Sequence, residues 1–302
     1  MHTSRADVAD LIYFLAIAKH RSFSRAAVEL GVSASALSHA LKGFESRLGV
    51  RLLNRTTKSV TLTAAGDALA ASTSMPIEAI DVALETLNRF RDAPMGRIRL
   101  NAAVEASTLL LGPVLPTFVE RYPEVELDIV ASNRMVDVTQ GGFDAGIRYG
   151  GTVPEDMVAQ RLSANIRWIV AGSPDYLKRF GIPGHPTDLV GHRCVNIRLG
   201  DDRVYRWEFE KGDEKLAIAV PRSVIVDHAE TGLAGVLGGV GLMYLPEPLV
   251  RKHVEEGRLK LVLADWAPTE PGFHIYFSSR RQMPTGLRLL IDLVRELAPL
   301  GL

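Results

Sequence analysis

The sequence lacks most of the features that would place it in a specialised class of protein. Its single cysteine, Cys194, excludes an internal disulfide and a two-cysteine redox switch. No uninterrupted apolar run approaches the roughly 18 residues of a membrane span, and the stretch Met1–Ala6 carries no apolar signal core. The 302 residues are 47% hydrophobic and 7% aromatic. These values predict a globular cytoplasmic protein of about two domains, at roughly 150 residues per domain.

The sequence also lacks the motifs of catalysis and of nucleotide or metal binding. Its eight histidines show neither HExxH nor another metal-ligand spacing, and no GxSxG nucleophile elbow occurs. The glycine-rich stretch Gly238–Gly241 does not complete a GxGxxG motif, because Tyr244 stands at the last glycine's position. The adjacent Asp227 and His228 could form a dyad, but no nucleophile is evident beside them. We therefore predict a protein that is not an enzyme and needs no cofactor or metal.

The balanced net charge conceals an uneven distribution. Lys plus Arg and Asp plus Glu each number 35, so the formal net charge is zero. Residues 1–63 hold nine basic and four acidic residues, a balance of +5, which leaves 26 minus 31, or −5, for the rest. A basic N-terminal segment on an acidic body is typical of a nucleic-acid-binding module attached to a domain with another task. Chance variation on a solvated surface is the alternative.

The basic segment follows the pattern of a winged helix-turn-helix. Asp7–His20 has apolar residues at helical spacing. Ser24 can cap a short helix that exits through Gly31, and Ser33 can cap the next helix. Small polar and basic side chains on one face of this next helix suit close approach to a major groove. The alternating stretch 50–66, with basic residues around a Thr-rich turn, predicts a two-stranded wing beside the phosphates.

A further helical stretch, residues 64–90, follows the wing. Apolar residues at alternating steps of three and four predict a coiled-coil contact between two subunits. This seam consists of Ile77, Ile80, Leu84 and Leu87. Pro76 lies within the stretch, so we expect the helix to bend there or to start anew. A helix packed on its own domain is the alternative.

The remaining sequence alternates strand-like with helix-like segments, which predicts an α/β body. One of its predicted helices, Leu109–Tyr122, contains an internal proline, Pro116. Ligands in α/β folds bind beyond the carboxyl ends of the strands, where helix N-termini present free amides. The loops at these positions therefore supply the candidate ligand-binding residues.

Both the basic segment and the body resemble LysR-type transcriptional regulators. In the first, the resemblance covers Leu11–Gly66 and includes the pairs Ala26-Ala27, Val32-Ser33 and Leu48-Gly49. In the body, it is carried by the phrases LLLGPVLPTFVERYPEVELDIV, GGFDAGIRYG and GVLGGVGLMYLPEPLV.

The resemblance implies an α/β chain with three parts. Residues 1–63 would form a winged helix-turn-helix DNA-binding domain, and residues 64–92 a linker helix for dimerisation. Residues 93–302 would form a two-lobed effector domain like that of periplasmic-binding proteins. Its lobe I would comprise about 96–162 plus 267–302, and its lobe II about 163–266.

The resemblance also implies which residues contact DNA. They are the exposed residues of the second helix of the pair and those of the wing. We predict this set to be Ser33, Ser35, Ser38, His39, Lys42, Arg55, Thr56 and Lys58. Ala34 stands where the family often has a glutamine, so hydrogen-bond reading from that position is lost.

The predicted effector-binding residues follow the strands of the body. They are Glu105, Ser107, Thr108, Ser132, Asn133, Arg148, Asn196, Arg198, Asp227 and His228. The serines, threonine and asparagines could instead only cap their helices. Arg148 could clamp an effector carboxylate or pair with Asp144 or Glu105. The mixed charges predict a small polar organic acid, with or without an amino or hydroxyl group.

The predicted function is sequence-specific regulation of transcription under the control of a small-molecule effector bound between two lobes. The protein would read an interrupted inverted repeat in double-stranded DNA as a homodimer or homotetramer. It would contact RNA polymerase if it is an activator, and it would not bind a membrane. The alternative is a helix-turn-helix joined to a metabolic enzyme. A free solute-binding protein is disfavoured because no secretion signal is present.

Overall fold

The computed structural model describes residues 5–55, 59–85, 87, 93–139, 141–278 and 283–302. It divides into two compact units, residues 1–91 and 92–302. Within the described ranges, no helix is long and apolar enough to cross a membrane.

The first unit contains three short helices, a small antiparallel sheet and one longer helix. They are α1 (Arg5–His20), α2 (Phe23–Leu30), α3 (Ala34–Leu48), β1 (Leu53–Arg55), β2 (Val60–Leu62) and α4 (Ala64–Glu85). The strands pair Leu53 with Leu62 and Arg55 with Val60. The prediction of two consecutive helices followed by a two-stranded wing is confirmed.

Local capping explains where α2 and α3 begin. The Ser33 side chain accepts a hydrogen bond from the Ala36 amide, as predicted, and Gly31 adopts φ 65° in the turn between the helices. The predicted cap Ser24 is wrong. Ser22 caps α2 by accepting from the Arg25 amide, because the helix begins at Phe23 and Ser24 lies in its first turn.

The core of the first unit is built from apolar residues that α1, α2 and α3 turn toward one another. Phe14, Ile17, Leu37 and Leu41 are fully buried. The small side chain of Ala26 is also fully buried, which lets α2 approach its neighbours closely. Burying such large apolar side chains stabilises each by about 1.5–3 kcal/mol. This packing determines which face of α3 is exposed to solvent.

Helix α4 runs through Pro76 without interruption, so the expectation of a new start there is wrong. A proline within a helix removes one backbone hydrogen bond. In the turn before Pro76, Ser72 and Ser74 donate to the carbonyls of Ala68 and Ala70. Two members of the predicted seam, Ile80 and Leu84, are 53% and 59% exposed. They are therefore available for a partner.

The second unit contains two sheets, one in each lobe. The lobe I sheet has the order β4-β3-β5-β15-β6. Its strands are β3 (Gly96–Ala102), β4 (Val125–Ala131), β5 (Ala145–Tyr149), β6 (Val158–Arg161) and β15 (Phe273–Phe277). Strands β3, β4 and β5 are parallel, whereas β15 runs antiparallel to β5 and β6.

The lobe II sheet has the order β11-β8-β12-β7-β13, with β14 also pairing with β7, and a separate hairpin lies beside it. The sheet strands are β7 (Ile166–Gly172), β8 (Cys194–Ile197), β11 (Val224–Val226), β12 (Leu242–Pro246), β13 (Lys260–Val262) and β14 (Thr269–Glu270). The hairpin strands are β9 (Trp207–Lys211) and β10 (Glu214–Ile218).

Helices cover these sheets, and the predicted α/β body is confirmed. They are α5 (Val104–Ala106), α6 (Leu115–Arg121), α7 (Pro174–Phe180), α8 (Ala229–Leu237), α9 (Glu247–Glu255) and α10 (Thr285–Leu297). The predicted single helix 109–122 is wrong: a π-helical segment, Ser107–Leu111, ends before α6. Pro116 lies in the first turn of α6, where its missing N–H is tolerated.

The chain crosses between the lobes twice, between β6 and β7 and between β14 and β15. Ser163 ties these crossings together, because its fully buried hydroxyl donates to Ala164 O (2.9 Å) and accepts from Phe273 N (2.8 Å). A side chain at Gly272 would lie 1.9 Å from the Ala164 carbonyl oxygen, so only glycine fits there.

Candidate nucleic-acid interface and ligand cleft

Helix α3 separates an apolar face from a polar one. Leu37, Leu41 and Phe44 are buried against the other helices. The predicted contact residues Ser35, His39 and Lys42 are exposed, and Ser38 is half-buried. Ser33 is exposed too, but its hydroxyl oxygen already caps the helix and lies 3.0 Å from the Ser35 hydroxyl. Thr56 and Lys58 lie outside the described residues.

The wing residue Arg55 is held against the polar face of α3. Its Nη1 donates to the Ser38 hydroxyl at 3.1 Å, and its Nη2 donates to Glu45 Oε2 at 3.3 Å. The guanidinium also lies over the Phe23 ring, 4.9 Å from the ring centre. Arg55 is thus fixed from three directions.

Glu45 connects the wing to α3 through both carboxylate oxygens. While Oε2 accepts from Arg55, Oε1 accepts the backbone N–H groups of Leu52 and Leu53, at 2.9 and 3.1 Å. This role of Glu45 was not predicted from the sequence. Its one available signal was that Glu45 is one of only four acidic residues in a basic segment.

The other acidic residues of this segment also bind basic side chains. The net positive charge therefore lies on the basic residues that have no acidic partner. The pairs are Asp7 and Asp10 with Arg47, and Glu29 with Lys19 and His20. Burial alone would raise the pKa of Glu29, but the hydrogen bonds from His20 and Lys19 outweigh it and lower that pKa. No described carboxylate lies at ion-pair distance from Lys42 or Arg51.

In the second unit, side chains of the two lobes contact each other. The Thr108 hydroxyl donates to Glu230 Oε1 at 3.0 Å, and Asn133 Nδ2 donates to the Asp227 carbonyl at 3.3 Å. A side chain at Gly200 would lie 2.1 Å from the Asn133 carbonyl oxygen, which shows how closely the loops approach. These contacts hold the described lobes in one arrangement.

A polar cavity of about 250 Å³ lies at this junction. It is lined by Ala131, Ser132, Asn133, Arg134, Arg198, Leu199, Gly200, Asp202, Asp227 and His228. Half of the predicted effector residues are among them. The volume lies below the roughly 300–1,000 Å³ of pockets for drug-sized ligands, so a bound molecule would be small.

Charges of both signs lie at the cavity and just beside it. The ring nitrogen Nδ1 of His228 lies 3.0 Å from Asp227 Oδ1, and this hydrogen bond lowers the pKa of Asp227. Burial raises the pKa of Glu105, and the nearby Glu230 raises it further, whereas His228 and Asn133 oppose the shift. No described Lys, Arg or His lies at ion-pair distance from the Glu105 carboxylate.

Five predicted effector residues are not among the described residues that line the cavity. Two of them, Glu105 and Thr108, belong to the contacts beside it, and the other three are held by partners within their own lobes. Arg148 is 4% exposed; it donates to the carbonyls of Asn101, Ile147 and Arg134 and to the Asn101 side chain, and burial lowers its pKa. Asn196 is 1% exposed and donates to the Cys194 and Pro221 carbonyls. Ser107 donates to the Ala103 carbonyl.

Arg134, Asp202 and Glu230 at the lobe junction were not predicted to bind the effector. Arg134 lies in the same loop after β4 as the predicted pair Ser132-Asn133, but only that pair was selected as candidates. Glu230 lies in the first turn of α8, where an acidic residue equally suits the helix terminus.

A winged helix-turn-helix and a two-lobed α/β unit with a polar cavity together define a class of regulator that binds both DNA and a small molecule. Two family descriptions match the chain. "Bacterial regulatory helix-turn-helix protein, lysR family" matches residues 8–67, and "LysR substrate binding domain" matches residues 91–299. The chain therefore belongs to the LysR family of transcriptional regulators.

Known proteins show the same likeness over the whole chain. The "uncharacterized HTH-type transcriptional regulator YcaN" of Escherichia coli is 38% identical, with 96% of this chain and 95% of YcaN covered. A "putative transcriptional regulator" of Pseudomonas aeruginosa is 35% identical, with 98% and 97% covered. The solved structure of CrgA, a LysR-type regulator from Neisseria meningitidis, has a TM-score of 0.61 at 28% identity, covering 98% and 99%.

Proposed function

We propose that this regulator binds an interrupted inverted repeat in double-stranded DNA as a homodimer or homotetramer, and that a small polar organic effector in the lobe cavity alters this binding. It acts in the cytoplasm with its DNA, without catalysis or a cofactor, and contacts RNA polymerase if it is an activator. Residues 1–63 form its DNA-binding domain, 64–92 its dimerisation helix and 93–302 its effector domain.

The polar face of α3 beside the wing carries the DNA-binding part of the proposal. Ser35, His39 and Lys42 are exposed along one side of a helix whose other side is buried. Side chains of this size permit close approach of the backbone to base edges. The acidic residues of the segment are engaged in ion pairs, which leaves a positive surface to attract phosphates.

Two kinds of DNA contact should respond differently to mutation. His39→Ala should remove about 1–3 kcal/mol of discrimination at one base pair, whereas Lys58→Ala should weaken binding to all duplexes and reduce the salt slope. Titrations of a selected duplex and a scrambled one at several salt concentrations separate these effects. Lys252→Ala, an exposed lysine of α9 in the second unit, is the control. Unchanged affinity and preference in His39→Ala contradicts the assignment of α3 to the groove.

The cavity and the contacts beside it carry the effector part of the proposal. The lobes are joined there by side-chain hydrogen bonds. A ligand that prefers one lobe arrangement therefore shifts the equilibrium between lobe arrangements, by the difference in its affinity for the two. Such coupling to a second site is typically about 1–3 kcal/mol.

The test is operator footprinting with a panel of carboxylates and amino acids. Arg198→Met and Ser132→Ala, both at the cavity, should weaken the response while binding without effector persists. Arg206→Met, which alters an exposed arginine of the lobe that contains Arg198, is the control. A full response in both cavity variants places the effector elsewhere.

A further inference from the structure

The contact between Arg55 and Ser38 determines more than the position of the wing. A serine hydroxyl has one proton to donate and two lone pairs with which to accept. In this structure one lone pair of Ser38 is occupied by Arg55 Nη1, at 3.1 Å. The guanidinium carries a fixed positive charge, which repels a second donor approaching the same oxygen.

We propose that Ser38 acts only as a hydrogen-bond donor to DNA, and that Glu45 is the positioning residue that imposes this role by holding Arg55 against the hydroxyl. The inference rests on the proposed DNA-binding function and makes it more specific. The partner of Ser38 is then an acceptor atom, and the structure favours a base edge, because Ser38 lies on the polar face of α3 between the exposed Ser35 and Lys42.

This restriction has a consequence for the base that is read. In the major groove, purines present the N7 acceptor and thymine presents O4, whereas cytosine presents the N4 amino donor. The base facing Ser38 is therefore a purine or thymine, and cytosine is rejected. A serine free to rotate could accept from cytosine and would not make this distinction.

Glu45 is suited to the positioning role because its two oxygens have separate tasks. Oε1 accepts the Leu52 and Leu53 amides, which anchors the start of the wing, and Oε2 accepts from Arg55. In Glu45→Gln the amide oxygen can still accept the backbone donors, but the amide nitrogen cannot accept from Arg55. This variant keeps the wing anchored and removes the ion pair that helps to hold the guanidinium against Ser38.

The experiment uses the full-length chain and a random duplex library. Bound sequences are recovered for the unmodified protein, Ser38→Ala and Glu45→Gln. The best duplex is then rebuilt with single 7-deazapurines, which lack the N7 acceptor, or with single methylphosphonates, which remove the phosphate charge. The two series distinguish a base acceptor from a phosphate oxygen. Ser46→Ala, an exposed serine later in α3, and Glu29→Gln, the same charge change elsewhere in the unit, are the controls.

For the unmodified protein we expect one position in each half-site to exclude cytosine. If that position is a purine, its 7-deaza analogue should lower the affinity about fivefold or more; if it is thymine, 5-methyl-2-pyrimidinone, which lacks the O4 acceptor, should have the same effect. Ser38→Ala should be insensitive to that analogue at that position. Glu45→Gln should accept cytosine there several-fold better, while its affinity for scrambled DNA does not fall. A purely structural Glu45 would lower both affinities together.

Three results overturn the inference. Ser38→Ala could retain the sequence preference of the unmodified protein, the sensitive position could prefer cytosine, or only the methylphosphonates could have an effect. Each of these leaves sequence-specific DNA binding intact. Failure of the unmodified chain to enrich any sequence would instead contradict the proposed function itself.

Discussion

The DNA-binding unit and the effector cleft differ in how far apart in the sequence their functional contacts lie. In the first unit, Ser38, Glu45 and Arg55 meet within 17 residues of chain. In the cleft, Thr108 and Glu230 are 122 residues apart, and Asn133 and Asp227 are 94 apart. The network of Ser38, Glu45 and Arg55 forms when the first unit folds. The cleft, in contrast, exists only when both lobes are folded and close together.

The two regions also treat their acidic residues differently. Every acidic residue of residues 1–63 binds a basic side chain, so its charge is compensated. Glu105 in the cleft is half-buried and has no ion-pair partner among the described residues. Ion pairs stabilise one geometry, whereas a partly desolvated carboxylate without an ion pair favours a change that solvates or neutralises it.

The largest expected effect is on the assembly of the first unit. Ile80→Asp combined with Leu84→Asp should dissociate the subunits, since both side chains are exposed in the single chain and burying each contributes about 1.5–3 kcal/mol. Sedimentation velocity should show the smaller species, and operator affinity should fall at least tenfold because one unit contacts only one half-site.

Met75→Asp is the matched control, because Met75 is a 76% exposed apolar residue of α4 outside the seam. Unchanged sedimentation of the double variant would show that dimerisation uses another surface.

Replacing Glu45 tests whether the short-range network stabilises the first unit. Glu45→Ala leaves the Leu52 and Leu53 amides without their acceptor and removes the partner of Arg55, which should cost about 2–4 kcal/mol. Glu45→Gln should cost less, because its amide oxygen replaces the backbone acceptor. Hydrogen exchange of peptides covering residues 49–55 measures the difference. Equal protection in the two variants would mean that the backbone contacts contribute nothing.

The cross-lobe bond between Thr108 and Glu230 should show a smaller effect. A double-mutant cycle with Thr108→Val and Glu230→Gln should give a coupling of about 0.5–1.5 kcal/mol, since the bond is exposed and joins an uncharged donor to a carboxylate. All three tryptophans, Trp168, Trp207 and Trp266, lie in the second unit, so their fluorescence reports its unfolding. A coupling of zero would mean that this bond does not hold the lobes.

The contrast in sequence distance explains what could be predicted from the sequence. The helix-turn-helix followed from local signals: apolar spacing, the Ser33 cap and the glycine at position 31 are all visible within one or two turns. The role of Glu45 was missed because two of its three partners are backbone amides, which carry no sequence signal.

The cleft was predicted only as a set of loops. Strand order places residues 132, 198 and 227 together, and the rule that ligands bind beyond strand ends identified them. The rule could not tell which side chains would turn inward. Asn196 and Arg148 lie inside β8 and β5, one residue before each strand ends, and they donate to oxygen atoms of the protein.

The smallest expected effect concerns the pH dependence of the second unit. Burial raises the pKa of Glu105 in the folded protein above its usual value of 4.5. Between these two pKa values the folded state holds more protons than the unfolded state, so stability decreases as pH rises through this window. The contribution of Glu105 is most favourable below pH 4.5 and is lost above the folded pKa.

Glu105→Gln removes this titration while retaining a polar side chain of the same length. At pH 7 the variant should melt at a slightly higher temperature than the unmodified protein by tryptophan fluorescence, and the difference should shrink as the pH is lowered toward 4.5. Glu124→Gln, which alters an exposed carboxylate of the same lobe, should show neither change. If Glu105→Gln instead melts lower at pH 7, the ionised carboxylate is stabilised in the folded cleft, and the contrast with the compensated pairs of the first unit disappears.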